Sequence, residues 1–155
     1  MLGSLLALLV SLLLVGATAT TGARFRPDGW YRELRKPSWT PPDIAFPIVW
    51  GILYLLMAIA AWRVYMADAS PLRTAGLVVY GLQLVANAAW SWLFFGRKQM
   101  GAALVDIALL LGLITLTIGL FVNVSTLAAW LMVPCWLWVA LALALNTSIL
   151  RLNKA

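Results

Sequence analysis

The sequence predicts an all-α membrane protein built as a bundle of five transmembrane helices. Hydrophobic residues make up 64% of the 155 residues and charged residues only 10%, whereas a soluble domain has about 45–50% and about 25%. Five apolar runs are each close to the roughly 20 residues that a helix needs to cross the hydrocarbon core. None of these runs alternates in the manner of a membrane β-strand. Helices are therefore predicted, because a helix satisfies its own backbone polar groups in lipid.

Each apolar run is predicted to form one helix of a single domain. The predicted helices are 2–23, 44–62, 74–95, 101–122 and 127–150. The first run resembles a signal peptide, but no Lys or Arg precedes its apolar part, so we expect it to be retained as a helix. Residues 123–126 separate the last two helices, and so short a connection allows only an antiparallel hairpin.

The basic residues predict the orientation of the bundle. Nine of the 11 Lys and Arg residues lie in the first loop, the third connection and the C-terminal segment, whereas only Arg63 and Arg73 lie on the opposite side. Cytoplasmic loops carry the excess of positive charge. We therefore expect the N-terminus outside and the C-terminus in the cytoplasm. The net charge of +6 is placed between apolar blocks, which favours contact with lipid headgroups and not with nucleic acid.

Several kinds of catalytic and metal site are excluded by composition. The chain has no His and a single Cys, which excludes disulfide frameworks, Cys/His zinc sites and catalysis by Ser-His-Asp or Cys-His groups. We expect no metal site. Asp106 is the only acidic residue at membrane depth, and we expect it to form a structural pair with Arg97 or Lys98 near the cytoplasmic end.

Three of the predicted helices carry polar and aromatic side chains four residues apart, which places them on one helix face. The residues of these stripes are Trp50 and Tyr54, then Gln83, Asn87 and Ser91 flanked by Trp90, and finally Trp138 and Asn146 beyond Pro134. Amides are costly in hydrocarbon unless they are paired. The stripes therefore predict either hydrogen bonds between helices or a pocket for a flat, mostly apolar ligand. Trp62 and Trp130, at the ends of predicted helices, are expected to be interfacial anchors.

The first loop, residues 24–43, is the one long connection, and long loops in compact proteins are commonly functional. Its first half predicts a short helix with Asp28 as N-cap, ended by Pro37. Its second half, with Trp39 and Pro42, predicts an extended return into the second helix. The basic and aromatic residues of this loop could cover a pocket and attract carboxylates, or bind headgroups.

The chain resembles the TspO/MBR family of tryptophan-rich sensory proteins and translocator proteins, formerly called peripheral-type benzodiazepine receptors. The resemblance is carried by Trp30 and Tyr31, by the segment KPSWTPP at 36–42, and by Trp50. The polar stripe of the third helix, the turn at 96–98 and the spacing of Trp130, Pro134 and Trp138 continue it over essentially the whole chain. The resemblance implies a five-helix bundle, commonly a homodimer, whose cavity opens toward the first loop.

The resemblance also implies the ligands and the residues that bind them. Family ligands are porphyrins such as protoporphyrin IX and haem, sterols, and isoquinoline- or benzodiazepine-type drugs. The implied pocket residues are Tyr31, Trp50, Asn87 and Trp138, with Trp39, Pro42, Tyr54, Gln83, Trp90, Ser91 and Asn146 as further lining. Sterol binding is placed in doubt, because residues 144–154 contain no Tyr for the weak sterol-recognition pattern.

Two functions of different classes agree with these residues. One is a multi-pass receptor or transporter of a bacterial membrane, inner or outer, that binds tetrapyrroles and regulates porphyrin metabolism or a stress response. The other is an enzyme-like, light-dependent oxidation of protoporphyrin IX, a role that the resemblance assigns to Tyr31 and Trp138. In either case the porphyrin is a ligand or substrate, and no cofactor is expected. A small multidrug exporter is disfavoured, because no acidic residue lies near the midplane.

Overall fold

The computed structural model describes residues 1–154 and contains five long helices and one short one. Their bounds are α1 Leu2–Arg24, α2 Gly29–Glu33, α3 Ala45–Tyr65, α4 Pro71–Ser91, α5 Met100–Phe121 and α6 Thr126–Asn153. The five long helices are all long and apolar enough to cross a membrane. This confirms the predicted all-α, five-helix membrane fold. The orientation of the termini stays a prediction.

The ends of α3, α4 and α6 lie beyond their predicted bounds. Helix α4 begins at Pro71 and not at residue 74, because the Ser70 hydroxyl accepts a hydrogen bond from the backbone N–H of Arg73 at 3.1 Å. Serine at the N-cap followed by proline is a strong signal for a helix start. Helix α3 likewise continues through Arg63 to Tyr65. The predicted bounds coincide with arginines, and an arginine near a membrane surface does not end a helix.

The five long helices form a closed ring in the order α1, α3, α6, α5, α4, and α3 also contacts α4 across the ring. Close packing of α1 on α3 depends on small residues. Ala58 and Ala60 are fully buried, and the hydroxyl of Ser11 donates to the carbonyl of Ala58 at 2.7 Å. Small side chains let the backbones approach each other in this way. The ring leaves room between α1, α3 and α4.

A π-helical turn, Trp92–Gly96, extends α4 by one wide turn. It ends where the N–H of Arg97 bonds the carbonyl of Trp92 at 2.7 Å and Lys98 adopts a φ of 56°. Phe94 and Phe95 are both buried within this turn, although neighbours in a regular helix diverge by about 100°. The turn therefore presents two adjacent aromatic rings to the first loop, which lies over them.

Candidate ligand-binding cavity

A cavity of about 660 Å³ lies between the C-terminal part of α1, the first loop, the first turns of α3 and the end of α4. Its volume falls within the range of about 300–1,000 Å³ that is usual for small-molecule pockets. Helix α1 contributes small residues such as Ala19 and Gly22, which leave the space open. The opposite wall is aromatic. The chain therefore provides a broad cavity that opens toward the first loop, as the resemblance implies.

Three aromatic residues of α3, each four residues from the next, form the aromatic wall. Phe46, Trp50 and Tyr54 all line the cavity. The rings of Trp50 and Tyr54 stack with their centroids 5.3 Å apart. Behind Phe46, the indole of Trp138 meets the phenyl ring edge-to-face at 5.8 Å. Pre-stacked rings of this kind offer a flat surface to a planar apolar ligand.

The polar centre of the site is the pair Tyr54 and Asn87. The Tyr54 hydroxyl donates to Oδ1 of Asn87 at 2.8 Å. The Nδ2 group of Asn87 is buried and has no hydrogen-bond partner within residues 1–154. A buried donor without a partner costs about 1–3 kcal/mol. Asn87 does not itself line the cavity, so this unpaired donor lies next to the wall, one hydrogen bond behind Tyr54.

Trp90, which also lines the cavity, is held in place by a neighbouring helix. Its indole N–H donates to Oδ1 of Asn146 at 3.2 Å, and Nδ2 of Asn146 donates to the carbonyl of Met100 at 3.0 Å. The ring of Trp90 stacks on Phe94 at 5.3 Å. Asn146 therefore has a positioning role between α4, α5 and α6 and does not line the large cavity.

Gln83 lies one turn deeper than Asn87 and is fully buried. Its Nε2 group contacts the sulfur of Met57 at 3.6 Å, and the thiol of Cys135 contacts the same sulfur at 3.7 Å. Its Oε1 atom has no partner in the described part of the chain. These contacts place Gln83 in the interface between helices, apart from the cavity.

The first loop folds over the end of the bundle, and Tyr31 is its buried anchor, only 1% exposed. Its ring packs edge-on against Phe95 at 5.4 Å and Phe94 at 6.1 Å. The ammonium group of Lys36 lies 4.5 Å from the ring centroid and bonds the carbonyl of Tyr31 at 2.5 Å. Burial raises the pKa of the Tyr31 phenol to about 12. Tyr31 thus lies behind Phe95 and not in the cavity wall.

Charged residues fix the loop and surround the cavity mouth. Asp28 caps α2 by accepting from the N–H of Tyr31 at 3.1 Å and lies 3.6 Å from Lys98. The backbone hydrogen bond and, after it, the charge of Lys98 lower the pKa of the Asp28 carboxyl. At the mouth, Arg32 pairs loosely with Asp43 at 3.9 Å, and Arg26 also lines the opening. The mouth is thus more basic than acidic.

The structure brings most of the predicted site residues close together. Four of them line the cavity, namely Trp50, Tyr54, Trp90 and Ser91. Asn87 and Trp138 contact lining residues, as described above, whereas Tyr31, Gln83 and Asn146 are packed inside the bundle. Trp39 and Pro42 are exposed on the first loop and line no cavity. Ligand binding by these residues stays a prediction.

Sequence reasoning missed three aromatic residues that line the cavity, Phe25, Phe46 and Phe95. Phe25 directly follows α1, whereas Phe46 and Phe95 lie on stripes that the sequence does show. Phe46 precedes Trp50 by four residues, and Phe95 follows Ser91 by four. Extending each stripe by one turn would have found both.

One expectation about polar contacts is wrong. Asp106 forms no ion pair among residues 1–154, because Lys98 is used by Asp28 and Arg97 lies over the ring of Trp92 at 5.5 Å. The interfacial position expected for Trp62 stays a prediction, and the structure adds one contact to it. Its indole N–H donates to the carbonyl of Ser4 at 3.1 Å, which joins α3 to the start of α1.

The fold and the cavity define a multi-pass membrane protein with an aromatic, ligand-sized chamber under a docked loop. Comparison with known proteins agrees with that class. The family model "TspO/MBR family" matches residues 5–152, and the chain belongs to this family.

Relatives from bacteria and from mammals cover most of the chain. It is 41% identical to the tryptophan-rich sensory protein of Cereibacter sphaeroides over 89% of this chain and 85% of that protein. The tryptophan-rich protein TspO of Chlorobaculum tepidum is 41% identical over 96% and 95% of the two chains. The human translocator protein is 39% identical over 80% and 75%.

Proposed function

We infer that this protein is a membrane receptor or transporter for tetrapyrroles such as protoporphyrin IX and haem, which bind in the 660 Å³ cavity. The observation that supports this most is the aromatic wall of α3 next to the unpaired amide of Asn87. A planar macrocycle stacks on Trp50 and Tyr54, while one polar atom accepts from Asn87. The sensory and translocator names belong to the relatives, and they agree with such a role.

The charge at the cavity mouth supports a ligand that carries carboxylates. Arg26 and Arg32 line the opening, and Asp43 is the acid opposite them. Porphyrin carboxylates at this position would form charge-assisted hydrogen bonds with the guanidinium groups. The rest of the cavity is apolar, so the macrocycle is buried while its acidic edge stays near water. Isoquinoline- or benzodiazepine-type drugs are flat enough to occupy the same space; sterols fit this chemistry less well.

A second function, light-dependent oxidation of protoporphyrin IX, is favoured by the position of Trp138. Its ring lies against Phe46, a wall residue, and its indole N–H has no partner within residues 1–154. An indole one aromatic ring from the ligand is placed to give an electron to the photo-excited macrocycle, and molecular oxygen then takes electrons from the reduced macrocycle as the oxidant of the net reaction. Tyr31 is the second candidate donor, separated from the cavity by Phe95.

A porphyrin titration of the purified protein tests the receptor function. Because the chain has no His, binding depends on stacking and shape and not on an axial iron ligand. We expect metal-free protoporphyrin IX to bind within about tenfold of haem. Haem binding a thousandfold tighter would show axial ligation and contradict this mode. The control is Trp130→Phe, because Trp130 is 67% exposed and far from the cavity lining.

The same samples distinguish the two functions. Porphyrin absorbance is followed in light and in the dark at saturating protein. A receptor protects or retains the porphyrin under both conditions, whereas the oxidative function gives loss in light alone that exceeds loss with free porphyrin. Homodimer formation, which the resemblance implies, is measured on the same preparation by its mass in detergent.

A further inference from the structure

Phe25 differs from the other aromatic residues that line the 660 Å³ cavity. Each of the others packs on at least one further aromatic ring, and they are Phe46, Trp50, Tyr54, Trp90 and Phe95. Phe25 is half-buried and has no such partner within residues 1–154. Its backbone N–H donates to the carbonyl of Thr21 at 2.8 Å, which fixes the main chain at the end of α1. The position of the Phe25 ring therefore depends on the backbone that it packs on.

That backbone belongs to Gly96, the last residue of the π-helical turn. A Cβ atom added to Gly96 would lie 2.8 Å from Cδ1 and 2.9 Å from Cε1 of Phe25, whereas nonbonded carbon atoms are most stable about 3.5–4.0 Å apart. Gly96 does not have a positive φ. The glycine is therefore needed for the close approach of the ring and not for its own backbone conformation.

The ring of Phe25 separates Gly96 from the cavity, because Phe25 lines the cavity and Gly96 does not. A side chain at position 96 would push this ring away from the π-helical turn and so into the cavity. The added Cβ atom would also lie 3.3 Å from Cδ1 of Trp92, a contact that a shift of a few tenths of an ångström relieves. The larger displacement is thus that of the Phe25 ring.

We propose that Gly96 and Phe25 set the upper size limit of the planar ligands that this cavity accepts. The inference rests on the proposed function, because it names the determinants of ligand size at the same site. A tetrapyrrole macrocycle is much larger than a two-ring aromatic molecule, so it needs the space that a displaced Phe25 ring would take. A two-ring ligand needs only the stacked face of Trp50 and Tyr54. Phe25 is therefore a specificity-determining residue, and Gly96 is a positioning residue that acts through it.

Two substitutions separate this role from a general effect on the fold. Gly96→Ala adds one methyl group behind the Phe25 ring. Its matched control is Gly112→Ala in α5, where an added Cβ atom has no heavy atom within 4 Å and which does not line the cavity. Phe25→Ala removes the ring. If Gly96 acts through Phe25, Gly96→Ala should have no further effect on binding in the Phe25→Ala background.

Binding is measured with the purified full chain by quenching of tryptophan fluorescence, because Trp50 and Trp90 line the cavity. The probes are three planar carboxylates of increasing size, namely naphthoate, pyrenecarboxylate and protoporphyrin IX. We expect Gly96→Ala to bind protoporphyrin IX roughly 10- to 100-fold more weakly than wild type does. It should lose less affinity for pyrenecarboxylate and none for naphthoate. Gly112→Ala should bind all three probes as wild type does.

Three outcomes with Gly96→Ala would overturn the proposal. An equal loss of affinity for all three probes would show that the methyl group disturbs the cavity as a whole. Unchanged affinity for protoporphyrin IX would show that the Phe25 ring does not limit ligand size. An effect that persists in the Phe25→Ala background would exclude action through Phe25.

Failure of the proposed function gives a different result. If wild type binds pyrenecarboxylate but not protoporphyrin IX, the tetrapyrrole function is wrong, and the size limit is decided by the affinities of Gly96→Ala for pyrenecarboxylate and naphthoate. If wild type binds none of the probes, both proposals are wrong. If Gly96→Ala does not fold, Phe25→Trp takes its place, because the larger ring fills the same space. It should weaken binding of protoporphyrin IX and leave naphthoate unchanged, and equal effects on the two would overturn the proposal.

Discussion

Asn153 holds the backbone of Arg35 through two hydrogen bonds, although the two residues are 118 positions apart in the sequence. Its Oδ1 atom accepts from the N–H of Arg35 at 3.0 Å, and its Nδ2 group donates to the carbonyl at 2.9 Å. The Asn153 amide thus makes the same two backbone hydrogen bonds to Arg35 that a residue of a neighbouring β-strand would make. The last turn of α6 thereby fixes the loop that covers the 660 Å³ cavity.

Removing this contact should loosen the first loop. Asn153→Ala deletes both hydrogen bonds, each worth about 0.5–1.5 kcal/mol, at an exposed position. We expect faster amide hydrogen exchange at residues 29–36 and faster ligand dissociation, with little change in the helices. The control is Asn123→Ala, since the Asn123 amide bonds only the carbonyl of Gly119 in its own helix end. Unchanged exchange in the loop would show that Tyr31 alone holds it.

Trp138→Phe should weaken porphyrin binding and reduce any photochemistry more strongly. The variant keeps a ring against Phe46 but loses the unpaired indole N–H and the lower oxidation potential of indole. Loss of one good contact is worth about 1–2 kcal/mol, so affinity should fall roughly 5- to 30-fold. The control is Trp130→Phe. Trp62→Phe is less suitable, because the Trp62 indole donates a hydrogen bond to the carbonyl of Ser4 in α1. Equal effects of Trp138→Phe and Trp130→Phe on binding and on light-driven loss would contradict the role of Trp138.

Tyr54→Phe should separate the polar handle of the cavity from its aromatic wall. The ring keeps its place against Trp50, but Oδ1 of Asn87 loses its donor, which costs about 1–3 kcal/mol for a buried amide. We expect reduced thermal stability and weaker porphyrin binding, and Asn87→Leu in the Tyr54→Phe background should recover part of the stability. The exposed Tyr65→Phe provides the comparison for porphyrin binding. If the effects of Tyr54→Phe and Asn87→Leu on thermal stability are additive, the hydrogen bond between the two residues does not contribute as predicted.

The difference in stability between wild type and Tyr31→Phe should depend on pH only above about pH 10. The pKa of Tyr31 is raised from 10.0 to about 12 by burial, so the folded protein holds the phenolic proton more tightly than the unfolded chain does. This contribution to stability is complete below pH 10 and is lost as the pH rises through about 12. The difference in melting temperature between wild type and Tyr31→Phe, measured from pH 8 to 12, isolates this contribution. A difference that is constant across this range would show that the pKa of Tyr31 is not raised in the folded protein.

The predicted orientation is tested by labelling intact cells with a membrane-impermeant maleimide. An introduced Ser125→Cys in the turn between α5 and α6 should react, and Ser38→Cys in the first loop should not. Cys135 is fully buried and provides the unlabelled background. The reverse pattern would place the first loop outside and leave the fold unchanged.

Much of the fold could be predicted from the sequence, because a membrane helix has to satisfy its own backbone and therefore shows as one apolar run. The Asp28 cap and the short loop helix were predicted from local signals and are confirmed. The charge of Arg73 predicts a start of α4 that is three residues late, because the capping signal of Ser70 and Pro71 sets the true start.

The arrangement of the candidate site was harder to predict than its residue types. The spacing of Trp50 and Tyr54 predicts one helix face, but the rotation of α3 against α1 decides which cavity that face lines. The π-helical turn that turns both Phe94 and Phe95 inward has no signal in the spacing of apolar residues. Tyr31 belongs to the loop, and only the tertiary structure shows that Phe95 stands between it and the cavity.

The order of helices around the ring divides the molecule into two halves. One half is the hairpin α1–α3, and the other is the run α4–α5–α6, whose members pack on their sequence neighbours. The halves meet where α1 contacts α4 and where α3 contacts α4 and α6, and the 660 Å³ cavity lies along that seam. A ligand in this cavity touches both halves, so its binding stabilises them against separation. Saturating ligand should therefore slow the separation of the α1–α3 hairpin from the other three helices.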